Sequence, residues 1–187
     1  MRMLTEIRIF APAKINIGLK VLPARSDGFH CIESIFQTVS TGDELRVRLA
    51  GAEGTCTVSC REMELPQKNT LTSAYESFCT VTGIKVPGVS VELIKRIPAG
   101  GGMGGGSSDA AALVRALEML CGVKLAITQK DEIASFTGSD VFFFLHCGES
   151  GGGCALVTGR GESVKPITPR SDVYLLMVFP DVHSSTK

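Results

Sequence analysis

With 187 residues, 44% of them hydrophobic, the chain can bury one substantial core, or one domain and part of another. Its 19 basic and 19 acidic residues cancel, no Lys/Arg cluster stands out, and aromatic residues make up only 6%, with no Trp. A nucleic-acid or membrane-surface binder needs a basic patch, and a base-stacking platform needs aromatic side chains, so neither nucleic acid nor a membrane is expected as a partner.

The opening "MRMLTEIRIF" interleaves charged and apolar residues too finely for a secretory signal. No apolar run approaches the length needed to cross a bilayer. Seven cysteines (Cys31, Cys56, Cys60, Cys79, Cys121, Cys147, Cys154) form no CxxC pair and no Cys/His zinc spacing. They are expected to be incidental or buried free thiols, which places the chain in a reducing cytoplasm.

In chain order, "IRIF" and "INIGLKVL" read as strands; in the second, Ile15, Ile17, Leu19 and Val21 alternate with Asn16, Gly18 and Lys20. "ELRVRLA" (44–50), "CTVSC" (56–60) and "VSVELIK" (89–95) repeat the alternation. Between the last two, Leu71, Ala74, Tyr75, Phe78 and Val81 fall at helical spacing, with a polar start near Asn69 and Gly83 as the stop. A second helix is predicted from about Ser108 to Cys121, ended by Gly122, and a third from Thr128, whose hydroxyl could pair with Asp131 in a capping box. "VFFFLH" follows a Gly-Ser-Asp turn at 138–140; "CALVTG" and "VYLLMVFP" return to strand character, with "GRGE" (159–162) as a turn. Strands, helix, strand, helices, strands is the order of an α+β domain with helices against a mixed or mostly antiparallel sheet.

The stretch "IPAGGGMGGGSSDAAALVRALEML" (97–120) packs six glycines into positions 100–106 and runs straight into a helix. A flexible linker needs neither the strand and helix that flank it nor an apolar Met103 in its middle. No Gly-Lys-Ser/Thr follows, so it is not a Walker loop. Gly100-x-Gly102-x-x-Gly105 fits the dinucleotide fingerprint by letter alone, with no βαβ unit or distant acidic residue to support it. A phosphate cradle satisfies the physics. Glycines let backbone N–H groups converge on an anion, the next helix adds unpaired donors, and Ser107 and Ser108 bring hydroxyls. The alanines at 110–112 let that helix pack closely behind the loop.

By pattern alone, Lys14 and Asn16 share one strand face, roughly 6.5–7 Å apart, and read as a solvated face. Asp140 reads as a helix N-cap, and a lone His30 as an ordinary surface or core residue.

"PAGGGMGGGSSDAA" resembles the second signature of the GHMP kinase superfamily. "APAKINIGLKVLPARSDGFHCIES" (11–34), "GSDVFFFL" (138–145) and "GRGE" are similar to the branch of that superfamily acting on a cytidine diphosphate-linked methylerythritol. The resemblance implies a GHMP-kinase N-terminal domain, of the ribosomal protein S5 domain 2-like type. It implies an ATP-binding domain over residues 1–165, with 166–187 beginning a truncated C-terminal region, since members continue for roughly 100 residues more. A third glycine-rich motif is missing, Phe142 stands where the family pattern has proline, and 128–138 looks shorter than usual.

The implied reaction moves the γ-phosphoryl group of ATP to the 2-hydroxyl of the small-molecule substrate, with Mg²⁺ neutralising phosphates through ligands the sequence does not name. The resemblance assigns Lys14 and Asp140 to catalysis: Lys14 by the attacking oxygen, and Asp140 orienting the hydroxyl and accepting its proton late, since a carboxylate is a feeble base towards a ground-state alcohol. The nucleotide would lie on Pro98, Ala99, Gly100, Gly101, Gly102, Met103, Gly104, Gly105, Gly106, Ser107 and Ser108. Asn16 would line the substrate site, His30 would bond the cytosine edge and Phe29 would stack on the ring. The same residues leave room for a kinase of another small alcohol, or for a silent or split nucleotide-binding module.

Overall fold

The computed structural model describes residues 4–24, 30–147 and 152–179. Two long strands, β1 (Glu6–Ala24) and β2 (His30–Leu49), form an antiparallel pair from Glu6↔Arg48 to Ala24↔His30. The two short runs read from the sequence near the start are thus one strand, bent by irregularities between Pro12 and Lys14, Ile17 and Leu19, and Val21 and Ala24. The other edge of β2 is shared. Ile32–Gln37 pair with β5 (Cys154–Gly159), and Glu44–Leu49 with β4 (Val89–Ile94). β3 (Cys56–Cys60) runs parallel to β4, and β6 (Ser163–Ile167) antiparallel to β5. The sheet is mixed, as expected. Its one parallel pair is the pair joined by a helical crossover, which parallel neighbours require.

That crossover is α1 (Thr70–Thr82), with Asn69 as N-cap and Gly83 in the left-handed conformation at its end, both as read from sequence. The Asn69 carboxamide oxygen accepts from the N–H groups of Leu71 and Thr72, and Thr72 Oγ1 accepts from the Asn69 N–H. α2 (Gly105–Cys121) is the central helix: every residue from Ser108 to Val114 is buried, the three alanines at 110–112 completely. Small side chains there let α2 sit close over β1 and β2 while α1 and α4 pack on its flanks. The core between helices and sheet contains Phe36, Leu45, Val47, Val91, Leu113 and Phe143, with Phe36 and Phe143 meeting edge to face at 5.4 Å.

Beyond the merged β1, and a β2 that begins at His30 where the sequence reading has a strand only from Glu44, four further elements depart from expectation. α2 starts at Gly105, so two glycines of the run belong to the helix. α3 (Ile127–Thr137) starts before Thr128; Asp131 does not cap it, and the Gln129 side chain accepts from the Ala126 N–H instead. "VFFFLH" lies in α4 (Ser139–His146), in which Asp140 is the second residue; Gly138 is the N-cap, so the capping role read for Asp140 does not hold. The segment 173–179 is not a strand: its apolar alternation finds no neighbouring strand to exchange hydrogen bonds with, and Tyr174 and Leu176 stand exposed.

The cysteines fit the expectation of incidental or buried free thiols. All seven are free. Burial pushes Cys56 up to about 12 and Cys147 up to about 11, far from a reactive thiolate. Asn69→Ala removes the acceptor of two first-turn amides and should cost about 1 kcal/mol, read as a lowered urea midpoint at unchanged slope; an unchanged midpoint would mean that water serves those amides equally well.

Candidate active site

β1 passes beneath the glycine turn, and one hydrogen bond registers the two: the Lys14 N–H donates to the Met103 carbonyl at 2.9 Å. Met103 turns inward against Ala13 and Ile97, a small apolar cluster that anchors the turn from below. An apolar residue amid glycines is therefore the pin of the loop. Gly100, Gly102 and Gly104 all take positive φ. At Gly104 (φ +69) a Cβ would also lie 3.0 Å from the Phe144 ring and 3.1 Å from the Lys14 stem. That position needs glycine twice over, for its backbone and for the lysine beside it.

Gly104 is also the N-cap of α2, and no side chain accepts from the first-turn amides. The first intrahelical bond is Ser108 N–H to Gly104 O, 2.8 Å. The N–H groups of Gly105, Gly106 and Ser107 are left for an anion, with the positive end of the helix dipole behind them. A cleft of about 220 Å³ opens in front, walled by Met63, Leu65, Asn69 and Thr70 on one side and by residues 98–106 on the other. Ser107 faces the start of α4, since a Cβ on Gly138 would lie 3.9 Å from its hydroxyl. Ser108 is not at the rim. It is buried, and its hydroxyl donates to the Pro12 carbonyl at 2.7 Å, tying α2 to β1.

Lys14 is buried, 5% exposed, which overturns the solvated face that pattern alone suggests. Its Nζ donates to Asn16 Oδ1 at 2.8 Å, lies 4.4 Å from the centre of the Phe36 ring, and stands 3.4 Å from Asp140 Oδ2. Asp140 sits in the first turn of α4 with its side chain 30% exposed, so the pair opens toward solvent on the carboxylate side. The Asn16 amide donates to Ser34 Oγ, which in turn donates to Gly18 O, so Asn16 is fixed by β2. The structure thus gathers Lys14, Asn16, Asp140 and the C-terminal end of the glycine run in one place.

His30 is not gathered with them. It stands exposed at the start of β2, its Nδ1 2.8 Å from the Leu22 carbonyl. Six residues of strand separate it from Phe36, roughly 20 Å. Phe29 lies outside the described residues. Between these two places the strand pattern misleads. Simple alternation puts Leu19 and Val21 with Ile17, away from Lys14. The irregularity at Gly18 (φ +75) shifts the register, so that Leu19 pairs with Ser34 and Val21 with Ile32, on the Lys14 face. Both are more than half exposed. A glycine inside a strand is the available signal for such a bulge.

Sequence reading also passed over a buried cluster behind the turn. Asp43, completely buried in β2, accepts from the Arg96 and Ile97 N–H groups through Oδ1 (2.6 and 2.9 Å) and from Lys95 Nζ through Oδ2 (2.6 Å). Lys95 Nζ also donates to Asp109 Oδ2 in α2, at 3.1 Å. Burial pulls the Lys95 ammonium down, but the two carboxylates outweigh it and hold it above its ordinary value. Burial pushes Asp109 up to about 7 against the pull of Lys95, with Asp43 adding to the rise.

Residues 69–148 match the family model described as the GHMP kinases N terminal domain. The structure superposes with a TM-score of 0.71 on a crystal structure of 4-(cytidine 5'-diphospho)-2C-methyl-D-erythritol kinase, 34% identical, covering 86% of this chain and 55% of that one. The fold is that of a GHMP kinase N-terminal domain. A homoserine kinase from Cytophaga hutchinsonii shares it at 21% identity and a TM-score of 0.58. In sequence the chain is similar to the 4-diphosphocytidyl-2-C-methyl-D-erythritol kinases of Treponema pallidum strain Nichols (42% identical over 97% of this chain) and Thermotoga maritima (43% over 94%). It spans 60% of the length of each of these relatives.

Two substitutions separate conformation from packing in this glycine turn. Gly102→Ala carries only the backbone cost, about 1 kcal/mol, since nothing lies within 4 Å of the added carbon. Gly104→Ala adds the collision with Lys14 and Phe144 and should lose about 1–3 kcal/mol more in urea unfolding. Equal losses would contradict the close seating of Lys14.

Proposed function

We propose that this chain carries the catalytic half-site of an ATP-dependent kinase that phosphorylates the 2-hydroxyl of 4-diphosphocytidyl-2-C-methyl-D-erythritol, in isoprenoid precursor biosynthesis. The observation that carries the reading is the Lys14–Asp140 pair, 3.4 Å apart beside the unpaired amides that open α2. Phosphoryl transfer passes through a loose transition state, so alignment and charge neutralisation do most of the work. On this reading the main-chain amides at 104–107 hold the terminal phosphates against the positive end of α2. Asp140 orients the acceptor hydroxyl and takes its proton as the oxygen bonds to phosphorus, and Lys14 stabilises the charge on the attacking oxygen. Asn16, fixed through Ser34, would hold a neighbouring hydroxyl.

The acceptor assignment rests on the relatives and on the shape of the site face. Leu19, Val21 and Ile32 continue that face away from Lys14 toward His30. Such a track suits a long substrate with a polar base at its far end, for which we assign His30 and Phe29, rather than a compact alcohol. ATP is the co-substrate. Among the described residues no group of three or more His, Cys, Asp or Glu could hold a metal ion, and Asp140 is already engaged by Lys14. The residues do not form a carboxylate cage, so Mg²⁺ belongs in this proposal as a companion of the nucleotide, with no protein ligand assigned. Residues 1–165 are taken as the ATP-binding domain and 166–187 as the lead into the region that the relatives carry beyond it. Seven reduced cysteines agree with a cytoplasmic location; no helix among the described residues is long and apolar enough to cross a membrane.

Incubating the chain with ATP, Mg²⁺ and the diphosphocytidyl substrate should give a phosphorylated product. Asp140→Asn should lower kcat by roughly 10²–10⁴-fold while ADP affinity stays nearly constant; equal turnover in the variant removes Asp140 from the chemistry, and ADP binding without product favours a silent nucleotide-binding module. His30→Ala should raise KM for the cytidine compound far more than KM for ATP, and equal effects on the two would defeat its role in base recognition.

A further inference from the structure

The Asp43–Lys95–Asp109 cluster is built as a clamp on both ends of the glycine turn. Asp43 holds the Arg96 and Ile97 amides, where the chain leaves β4 and enters the turn. Asp109 lies in α2, where the chain leaves it. Lys95 bridges the two carboxylates, and its Nζ is 3.1 Å from where a Cβ on Gly105 would stand. Three ionisable groups in this arrangement do not balance. Two carboxylates surround one ammonium, all three nearly out of water, with side-chain exposures of 0%, 3% and 11% for Asp43, Asp109 and Lys95.

The oxygens show where the excess charge sits. Both oxygens of Asp43 are hydrogen-bonded, as is Oδ2 of Asp109. Oδ1 of Asp109 is buried without a hydrogen-bond partner, a costly state for a carboxylate and a much cheaper one for a carboxylic acid. Asp109 lines the same cleft as the glycine turn, so an unbalanced negative charge lies on the wall of the cleft that would receive phosphate. The charged groups acting on Asp109 are Lys95 from the end of β4 and Asp43 from β2. Apart from Lys95 and Asp109, the cleft lining, which includes Met63, Leu65, Asn69, Thr70 and Leu71, carries no charge.

We propose that Asp109 is a positioning residue of the glycine turn that takes up a proton from solvent when nucleotide phosphates bind, so that the clamp passes from a net negative charge to neutrality as the anion arrives. This rests on the nucleotide reading of the cleft. Without a ligand Asp109 is poised at about 7. Phosphates on the amides at 104–107 bring further negative charge and push it higher. The bound form therefore holds more proton than the free form. Binding is favoured at low pH and weakens as pH rises through 7 and beyond.

The test is calorimetric titration of the 187-residue chain with ADP at pH 7.5 in Pipes and in Tris, two buffers with different ionisation enthalpies. If binding raises the Asp109 value by one unit, wild type takes up about half a proton more than Asp109→Asn, whose amide keeps the shape but cannot titrate. Comparison with the variant cancels the ionisation of ADP itself. The affinity of wild type relative to the variant should fall about sixfold between pH 6.5 and 8.5. Infrared difference spectra of wild type alone, with and without ADP, give a readout that needs no variant: the C=O stretch of a protonated carboxyl should grow on binding. Binding of ADP with equal proton uptake in wild type and variant, or with no gain in that band, overturns the proposal and leaves the nucleotide reading standing. No ADP binding in either buffer overturns both.

Discussion

The site depends on how closely β1 approaches the glycine turn. The stem of Lys14 runs past Gly104 at a distance tighter than a Cβ ordinarily accepts, and its amide is bonded to the Met103 carbonyl in the same turn. From that contact the other placements follow. Lys14 is held over Phe36, with its ammonium on Asn16 and Asp140. α2 must begin at Gly105, because Gly104 is spent on a left-handed turn, and its first amides are left free beside the lysine. Gly104 is thus a steric requirement of the lysine beside it.

Two lysines divide the electrostatic work. Lys14 packs against Gly104 with one carboxylate that is partly open to solvent. Lys95 packs against Gly105 with two carboxylates, nearly out of water on the wall of the cleft, where it joins β2, β4 and α2 at the level of the loop. Charge in the Lys95 cluster is fixed in number unless a proton moves, and the unpaired oxygen of Asp109 is where one can. The glycine turn is tied at its ends by ions and at its middle by Met103, an apolar pin.

Much of this was legible in the sequence. Asn69 and Gly83 bounded α1 because their chemistry serves no other purpose as well, and the alternation at 44–50, 56–60 and 89–95 gave the strands that pair in the mixed sheet. Other parts were hidden for physical reasons. "VFFFLH" is buried around most of its circumference in α4, so no period distinguishes helix from strand. "VYLLMVFP" has the alternation of a strand but no partner for its backbone. At the site, pattern alone made Lys14 a solvated residue, because burial against Phe36 comes from a neighbour 22 positions on. The bulge at Gly18, which turns Leu19 and Val21 toward the site, breaks the period that the eye follows. Asp43, Lys95 and Asp109 are scattered over three elements and form no local motif at all.

The most direct measurement is a crystal structure of the chain with a non-hydrolysable ATP analogue. The account predicts β- and γ-phosphate oxygens within hydrogen-bond distance of the amides between Gly104 and Ser107, and the terminal phosphate facing the Lys14–Asp140 pair across a gap that fits one hydroxyl. Phosphates bound elsewhere, or those amides facing open solvent with the analogue in place, would contradict it.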